Sequence, residues 1–467
     1  MPQPQNPYKK NGRDPGGNIG LDAKIGLTTN FTADVSVNPD FGQVESDPSV
    51  INLTAFETFY EERRPLFVEG GNIFSFELDD ASMFYSRRIG QAPGYSPEIS
   101  DDEYVKQPEN TTILSAVKLS GKTSKGFSLG ILQSVTANEY AEIKKEGEKR
   151  EMITEPLTSY AIARLQQDFK EGNTVIGGIF TSTNRTIQHD HLNSRNKDAY
   201  TGGIDFLHHW NDKEFYIDAK LIGSHISGEY EAIRGLQESS ARYFQRPGAK
   251  HLNYNTLLTQ LSGFGGELKV GKGSKGLWRY SAGVNWKSPG LDLNDMGFMH
   301  SADEVEQSAS LSYFVNQPVS VFRTYSVEIE QLNDWDFGMN YLPSGANLNV
   351  RFELLNKWSV RSRTNYTSEA LDTRILRGGE AMFVPSEWQS YLGLHTDPSK
   401  KAMFSIGGNI LASKNNQNFY SVEPGITVNP LNTLRISLST EYSFNHNNLQ
   451  YIDTKELNED KGMFSVR

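Results

Sequence analysis

Residues Trp278–Lys287 read Trp-Arg-Tyr-Ser-Ala-Gly-Val-Asn-Trp-Lys, with an apolar or aromatic side chain at nearly every second position. The polar side chains of Arg279 and Asn285 fall on the other face. A period of two places successive side chains on opposite faces of a β-sheet. The same alternation recurs over Phe31–Asn38 and Leu434–Phe444. The sequence therefore predicts an all-β chain.

Similar alternation extends over most of the chain, in segments close to the length that a tilted strand needs to cross a bilayer, about 9 to 11 residues. The predicted strands are Ile19–Leu27, Phe31–Asn38, Ile113–Gly121, Phe127–Val135, Leu157–Asp168, Thr174–Thr183, Tyr200–His208, Phe215–His225, Gly263–Gly271, Trp278–Lys287, Ser308–Phe314, Val321–Leu332, Asn347–Leu355, Trp358–Tyr366, Trp388–His395, Phe404–Ser413, Ser421–Val428 and Leu434–Phe444. The pattern leaves open whether Leu371–Pro385 holds a further strand.

Short polar connections alternate with long ones between these segments. The short connections are Thr28–Asn30, Lys122–Gly126, Lys170–Asn173, Trp210–Lys213 and Lys272–Lys275, and the long ones are Pro39–Asn110, Thr136–Glu155, Asn184–Ala199, Ile226–Ser262 and Ser288–Gln307. Outer-membrane barrels combine short periplasmic turns with long outer loops. We therefore predict a large antiparallel transmembrane β-barrel of roughly 18 or more strands in the bacterial outer membrane, with the lipid bilayer around it.

The order of short and long connections also leads to an expectation about the two ends of the chain. The first strand would run from the outer face inward, and the opening residues contain no apolar signal core. Met463–Arg467 begins another alternating stretch. We therefore expect residues 1–467 to be a barrel fragment that lacks an upstream strand or domain and C-terminal strands.

Composition excludes several other classes of protein. No run approaches the roughly 18 apolar residues of a membrane helix. The net charge of −11, without a basic stripe, argues against nucleic-acid binding. The absence of cysteine excludes a disulfide framework. Charges of both signs on the polar strand faces, such as Asp218 and Lys220, suggest a lumen crossed by ion pairs.

Residues 39–110 break the alternation. Asp47-Pro48 has the features of a helix start, and Pro65 disfavours helix at Arg64. The apolar residues that recur at helical spacing are Val50, Leu53, Phe56, Phe59 and Tyr60. The sequence therefore predicts one short helix before Pro65.

The segment 39–110 has two interpretations. It is either a plug that folds into the barrel mouth, where its arginines meet lumen carboxylates or an anionic ligand, or an outer loop that packs on itself. The candidate plug or lumen residues are Glu57, Arg63, Arg64, Arg87 and Arg88. The sequence predicts no catalytic residue, no metal ligand and no cofactor.

Several long motifs resemble one protein family. They include Val37–Phe59, Glu62–Gly70, Phe84–Gly90, Tyr243-Phe-Gln-Arg-Pro and Leu376-Arg-Gly-Gly. They are similar to a large, mainly Bacteroidota family of outer-membrane barrels that carries a domain of unknown function. Its members often have an N-terminal domain resembling family-9 carbohydrate-binding modules, which is not among these residues. The resemblance implies an outer-membrane barrel with a suspected link to glycans, and it implies no mechanism.

Three short motifs suggest chemistry that their surroundings do not support. Gly126-Phe-Ser-Leu-Gly130 matches a nucleophile elbow, but Ser128 lies in a predicted strand instead of a strand-to-helix turn. Gly271-Lys-Gly-Ser-Lys-Gly276 precedes a strand and not the helix of a dinucleotide site. His189-Asp190-His191 offers too few ligands for an ordinary zinc site.

The sequence thus favours binding or transport at the cell surface, with a link to glycans. One alternative is a surface scaffold or assembly component with a blocked lumen. A barrel-borne glycan hydrolase is another, less favoured, because it needs two carboxylates that converge at about 5 to 9.5 Å. Candidate partners, besides the bilayer, are glycans and other outer-membrane proteins.

Overall fold

The computed structural model describes residues 19–39, 54–145, 148–414 and 417–447, the single positions 8, 17, 50 and 52, and the backbone of 453–456 and 463–466. Its main element is an antiparallel sheet of 19 strands. The helices in this part are α1 (Pro65–Val68) and α2 (Tyr230–Glu238), with 3-10 turns at Gly71–Phe74, Ser86–Arg88 and Asp190–Leu192. In the described residues, no helix has the length and apolar character needed to cross a membrane.

The strands are numbered in chain order. The first fourteen are β1 (Leu21–Gly26), β2 (Phe31–Val37), β3 (Glu77–Leu78), β4 (Ala81–Ser82), β5 (Tyr104–Lys106), β6 (Ile113–Lys122), β7 (Phe127–Thr136), β8 (Glu139–Lys145), β9 (Glu148–Glu155), β10 (Thr158–Phe169), β11 (Thr174–Arg185), β12 (Asp198–Trp210), β13 (Phe215–Ser227) and β14 (Gln260–Lys272). The others are β15 (Trp278–Lys287), β16 (Glu304–Val315), β17 (Phe322–Trp335), β18 (Gly345–Leu354), β19 (Ser359–Thr367), β20 (Ala370–Asp372), β21 (Met382–Val384), β22 (Glu387–His395), β23 (Ala402–Ser413), β24 (Gln417–Leu431), β25 (Leu434–Ser439), β26 (Tyr442–Asn447), β27 (Asp453–Glu456) and β28 (Met463–Val466).

The main sheet is an antiparallel meander, in which each strand pairs with the sheet strands before and after it in the chain. The order is β1, β2, β6, β7, β10 to β19, β22, β23 and β24, with β25 and β26 both paired to β24. Every strand that the alternation predicts lies in this sheet, but the predicted strand Leu434–Phe444 is divided into β25 and β26. The ends of the others are displaced by at most four residues. The described part contains no pairing between the edge strands β1 and β26.

The two faces of the sheet differ in character. One face, here called the covered face, carries buried residues such as Leu132 and Ile162, which are register partners on β7 and β10. The opposite face, here called the apolar face, carries many exposed apolar side chains, among them Ile204, Leu221, Phe264, Trp278, Leu311, Ile329, Leu392, Ile406 and Ile410. Register partners share a face, so the same division runs from β6 to β23.

Residues 54–110, here called the insert, connect β2 to β6 and pack on the covered face. Phe74, Met83 and Ile89 are each at most 1% exposed and form one apolar core with residues of β6, β7, β10, β11 and β13. Gly130 and Gly203 allow the close approach, because a Cβ at Gly130 would lie 2.8 Å from the side chains of Ile73 and Phe74. The insert is therefore packed as tightly as a protein interior.

The prediction of a helix before Pro65 is wrong for the described residues 54–64, which are not helical, and Asp47-Pro48 lies outside the described residues. The helix begins instead at Pro65, which occupies its first turn, after an extended Arg64. The segment is held by tertiary contacts. The Tyr85 hydroxyl is 3.0 Å from both the backbone nitrogen and the carbonyl oxygen of Tyr60.

Several long connections contain structure that the sequence pattern did not reveal. The predicted loop Thr136–Glu155 contains both strands β8 and β9, which form a three-stranded sheet with β5. The predicted loop Ile226–Ser262 contains α2, whose Ala232 and Ile233 are buried. The segment Leu371–Pro385 holds part of the small hairpin β20–β21, which is separate from the main sheet.

Candidate functional site

Glu57 and Arg88 join the start of the insert to its 3-10 turn at Ser86–Arg88. The Arg88 guanidinium donates two hydrogen bonds to the Glu57 carboxylate, at 2.8 and 2.7 Å. Its Nε donates to the carbonyl oxygen of Gly297 at 3.0 Å. The ring centroids of Tyr85 and Phe298 lie 5.5 and 6.0 Å from the guanidinium carbon. This pair therefore also fixes the insert to the loop between β15 and β16.

Arg64 has a different partner. Its guanidinium donates to Glu62 at 2.9 and 2.7 Å, and to the carbonyl oxygens of Ser86 and Ile89 at 2.8 and 2.6 Å. The Ser86 hydroxyl donates to Glu62 at 2.5 Å. Burial tends to raise the pKa of Glu62, but the hydrogen bonds and charge of Arg64 outweigh it and lower the pKa below its usual value. This network stabilises the bend that contains α1.

The other two candidate arginines lie nearer the surface. The half-buried Arg87 donates through its guanidinium to the carbonyl oxygen of Glu61 at 2.7 and 3.2 Å. Arg63 is half-buried, and its backbone N–H donates to Glu62 at 2.9 Å. The structure thus brings Glu57 to Arg88, but Arg64 to Glu62, a residue that was not among the predicted candidates. Arg64 and Arg88 thus each pair with a carboxylate of the insert.

Two buried lysines of the sheet hold the insert. Lys118 on β6 donates to the carbonyl oxygens of Leu66 and Glu69 at 2.5 and 2.7 Å, and it forms an ion pair with Asp34 at 3.0 Å. Lys287 on β15 forms ion pairs with Asp80 of the insert and, at 2.6 Å, with Glu304 on β16. These lysines alternate with apolar residues along their strands, but the sequence does not indicate their partners.

A cavity of about 520 Å³, here called the insert cavity, lies between the insert and three long loops. Its lining is mainly polar and comprises Ala55, Phe56, Glu57, Arg88, Gln91, Ala92, Gly94, Arg185, Arg195, Asn196, Leu236, Ser239, Ser240, Ala241, Asp292, Asn294, Asp295, Met299 and His300. The rings of Phe56 and His300 stack at 5.5 Å on one wall. A cavity of this volume falls in the range of small-molecule sites.

The charges of the insert cavity are balanced by ion pairs in its wall. Arg185 pairs with Asp295 at 2.5 Å, and Arg195 pairs with Glu155 at 3.0 Å. Asp292 pairs at 2.6 Å with the fully buried Arg242 behind the wall. Among the described residues, the buried Nε atoms of Arg185 and Arg195 have no hydrogen-bond acceptor. The wall therefore presents hydrogen-bonding groups without a strong net charge, which suits a neutral polar ligand.

The three unsupported motifs are placed as the sequence context predicted. Ser128 is buried within β7, and residues 271–276 include the turn between β14 and β15. His191 Nε2 is 2.9 Å from the carbonyl oxygen of Ile153, so the histidine belongs to the packing of its loop. None of these residues contributes to the insert cavity.

A buried ion network, which the sequence did not reveal, joins three connections between strands of the main sheet. His251, Asp303 and Asp336 place possible ligand atoms within 4.8 Å of one another. Arg246 lies between the two carboxylates, at 2.8 Å from Asp303 and 3.2 Å from Asp336. Since the guanidinium already supplies positive charge at this point, the arrangement is an ion pair network that ties the loops together.

Comparison with known proteins gives a family assignment. A search of curated proteins finds no match to this chain. The family described as "Domain of unknown function (DUF5916)" matches residues 5–467, which is nearly the whole sequence. This description agrees with the domain of unknown function in the family that the sequence motifs resemble. It names no activity, ligand or partner. The chain belongs to the DUF5916 family.

Proposed function

We propose that this chain forms an outer-membrane β-barrel whose interior is partly filled by the insert, and that it binds a neutral polar ligand at the cell surface. The observation that carries the proposal is the burial of the insert against the covered face, while the opposite face exposes apolar side chains. A sheet with one polar, occupied face and one apolar, exposed face is the arrangement of a membrane barrel.

The apolar face supports a lipid environment. Large exposed apolar patches are rare on soluble monomers and mark membrane or protein contacts. Ile204 on β12 and Leu392 on β22 are separated by many strands, yet both are exposed on this face, as is Leu268 on β14. Closure of the barrel would require β1 and β26 to pair directly or through residues outside the described part. The motif resemblance to outer-membrane proteins of Bacteroidota supports the same location.

The insert supports a role other than passive diffusion. Each large side chain that it buries contributes about 1.5 to 3 kcal/mol relative to exposure, and Phe74, Phe76, Leu78, Met83 and Ile89 are all buried. The ion pairs of Lys118 and Lys287 add polar anchors. An insert held in this way would reduce any open path across the sheet interior, so binding or gated transport fits better than a permanent pore.

The insert cavity supports binding at the outer side. Its lining comes from the insert and from long connections, which would lie outside the membrane by the short-and-long rhythm of the loops. Its charge-balanced wall and stacked Phe56 and His300 suit a hydroxylated ligand such as a glycan. Glu57 and Asp295 are each paired with an arginine, so neither is placed as the general acid that glycoside hydrolysis needs.

A surface scaffold with a blocked lumen is the second candidate, and the packed insert favours it equally. The experiment that separates the two is ligand binding. We expect the full chain to fractionate with outer membranes, to show little steady conductance in planar bilayers, and to bind oligosaccharides from a defined glycan array. Steady large conductance would contradict the filled interior. Recovery in the soluble fraction would contradict the membrane location, and absence of glycan binding would favour the scaffold.

A further inference from the structure

A second cavity, of about 340 Å³, lies far along the sheet from the insert. We propose that three arginines in this cavity, Arg351, Arg361 and Arg363, form a binding site for an anion of the phosphoryl or carboxylate class. The cavity is here called the arginine cavity. It shares no lining residue with the insert cavity, and anion binding there does not depend on the proposed membrane location.

The strand register brings the three arginines together. Arg351 on β18 is directly opposite Arg361 on β19, and Asn349 on β18 is opposite Arg363. The same register places Glu328 of β17 opposite Asn349. Glu328 is in turn opposite Ser312 on β16, and Ser312 is opposite Arg279 on β15. Arg279 lies an even number of residues from Lys287 on the same strand, so the arginines point to the covered face. All three side chains are exposed there, because the apolar core of the insert packs elsewhere on this face.

Unlike several other cations of the covered face, these arginines have no carboxylate partner among the described residues. Lys118, Arg164 and Lys220 pair with Asp34, Asp205 and Glu267, respectively. For Arg351, Arg361 and Arg363, by contrast, no carboxylate of the described chain lies within the 4.0 Å of an ion pair. Arg363 Nε donates to the amide oxygen of Asn349 at 3.0 Å, which leaves its positive charge uncompensated.

The nearby carboxylates are occupied by amide side chains. Glu328 and Glu330 accept hydrogen bonds from Asn349 and Asn347 at 3.3 and 3.0 Å. Glu423 accepts from Asn409 at 3.0 Å. Like charges directly across a strand pair are destabilising, so Arg351 opposite Arg361 has an energetic cost that a bound anion would remove. The chain as a whole has a net charge of −11, so this group of three arginines contrasts with the negative charge of the rest of the protein.

The rest of the cavity adds neutral hydrogen-bonding groups. Its full lining is Asn349, Arg351, Arg361, Ser362, Arg363, Asn365, Gln389, Tyr391 and Asn409. Tyr391 lies over two glycines, because a Cβ at Gly393 would collide with its hydroxyl and one at Gly407 would lie 3.2 Å from it. Gly393 is the register partner of Arg361. The glycines thus make room for a phenol hydroxyl beside the guanidinium groups.

The chemistry of the lining defines the ligand class. The planar fork of arginine matches the paired oxygens of carboxylates and phosphates. Three such groups with a phenol and several amides suit a solute that carries at least two negative charges. Because these positions are on the covered face, the ligand would be a soluble anion reaching the sheet interior, and not a lipid headgroup approaching the apolar face.

The test is isothermal titration calorimetry of the purified full chain in detergent at low salt, with sodium pyrophosphate and, separately, citrate. We expect saturable binding of at least one probe and marked weakening at about 500 mM salt, where charges are screened. The triple variant R351Q/R361Q/R363Q is expected to lose roughly tenfold or more in affinity. Absence of binding by the wild-type chain up to about 1 mM of either probe would overturn the proposal.

A matched control is Arg323→Gln, which removes an exposed arginine that is paired with Glu353 outside the cavity. We expect its affinity for the probe to equal that of the wild type. Far-UV circular dichroism reports whether each variant retains its sheet. If the triple variant does not fold, R361K takes its place in the test. This substitution keeps the positive charge but removes the planar guanidinium group, and the affinity for the probe is expected to fall several-fold. Equal affinity of a folded triple variant and the wild type, or of R361K when only that variant folds, would refute the site.

Discussion

Arg88 reaches from the insert to the carbonyl oxygen of Gly297, a residue 209 positions later in the chain, while two of its other N–H groups hold Glu57. One side chain therefore connects the start of the insert, the 3-10 turn at Ser86–Arg88 and the loop that follows β15. The guanidinium is buried, whereas the Glu57 side chain is 50% exposed. Removal of the arginine would leave a buried carbonyl without its donor.

Arg88→Gln is expected to lower the free energy of unfolding by about 1 to 3 kcal/mol, because the lost hydrogen bonds leave polar groups unsatisfied. Urea unfolding in detergent, followed by tryptophan fluorescence, measures the change. Arg323→Gln is the matched control, since it breaks an exposed ion pair that contributes roughly 0 to 1 kcal/mol. Equal effects of the two substitutions would show that Arg88 does not anchor the insert.

A disulfide between Gly70→Cys and Ser120→Cys is expected to lock the insert to β6. A Cβ at Gly70 would lie 3.6 Å from the Cβ of Ser120, within disulfide range. The positive φ of Gly70, 64°, costs about 1 to 2 kcal/mol when a side chain is added, so the net gain in stability should be small. Because the native sequence contains no cysteine, non-reducing electrophoresis detects this bond directly.

Oxidation should abolish any ligand-dependent conductance if the insert moves during transport, and reduction should restore it. Ser120→Cys alone serves as the control. Failure of the two cysteines to form a bond would place the insert away from β6, in contradiction to the packing of this segment.

The ion pair of Glu62 predicts a loss of stability in acid. Its folded-state pKa is lower than the usual 4.5, so its contribution is complete above about pH 4.5 and is lost as pH falls through the lower folded value. Glu62→Gln should therefore destabilise the protein near neutral pH, and its difference from the wild type should shrink below pH 4.5. Thermal unfolding from pH 3 to 7 measures this, with the exposed Glu61→Gln as control. A difference that stays constant over this pH range would contradict the assignment.

Leu392→Arg tests the apolar face. Leu392 lies near the centre of β22 and is 60% exposed. In a bilayer, an arginine near the middle of a lipid-facing strand costs about 2 to 4 kcal/mol, so insertion into liposomes should fall sharply. Leu257→Arg is the matched control, because Leu257 is 79% exposed in a loop. Equal insertion of both variants would argue that this face does not contact lipid.

The sequence was most informative where structure depends on local alternation. Strands such as Trp278–Lys287 coincide with prediction because a half-buried strand repeats every two residues regardless of its partners. The prediction of a helix before Pro65 was wrong because Phe59 and Tyr60 contact Tyr85, a residue distant in sequence. These contacts hold the segment in a non-helical conformation despite its helical spacing of apolar residues. Tertiary contacts of this kind override helical periodicity.

The candidate site was only partly accessible from the sequence. Clustered arginines and acids pointed to the insert, but which carboxylate each arginine binds depends on the folded path of the chain. Arg64 binds Glu62, two residues away in the sequence, whereas Arg88 binds Glu57, 31 residues away. The arginine cavity was missed because Arg351 and Arg361 become neighbours only through the register of β18 and β19.

The lysine anchors have a consequence for how the protein folds. Lys118 and Lys287 are on β6 and β15, which are seven positions apart in the strand order, yet both hold the same short insert. The insert therefore connects two distant strands across the covered face, and this connection limits how far the sheet can flatten. Since it precedes both strands in the chain, its docking must wait for contacts of very long sequence separation. We expect acquisition of the native curvature to be slow and to coincide with burial of the insert.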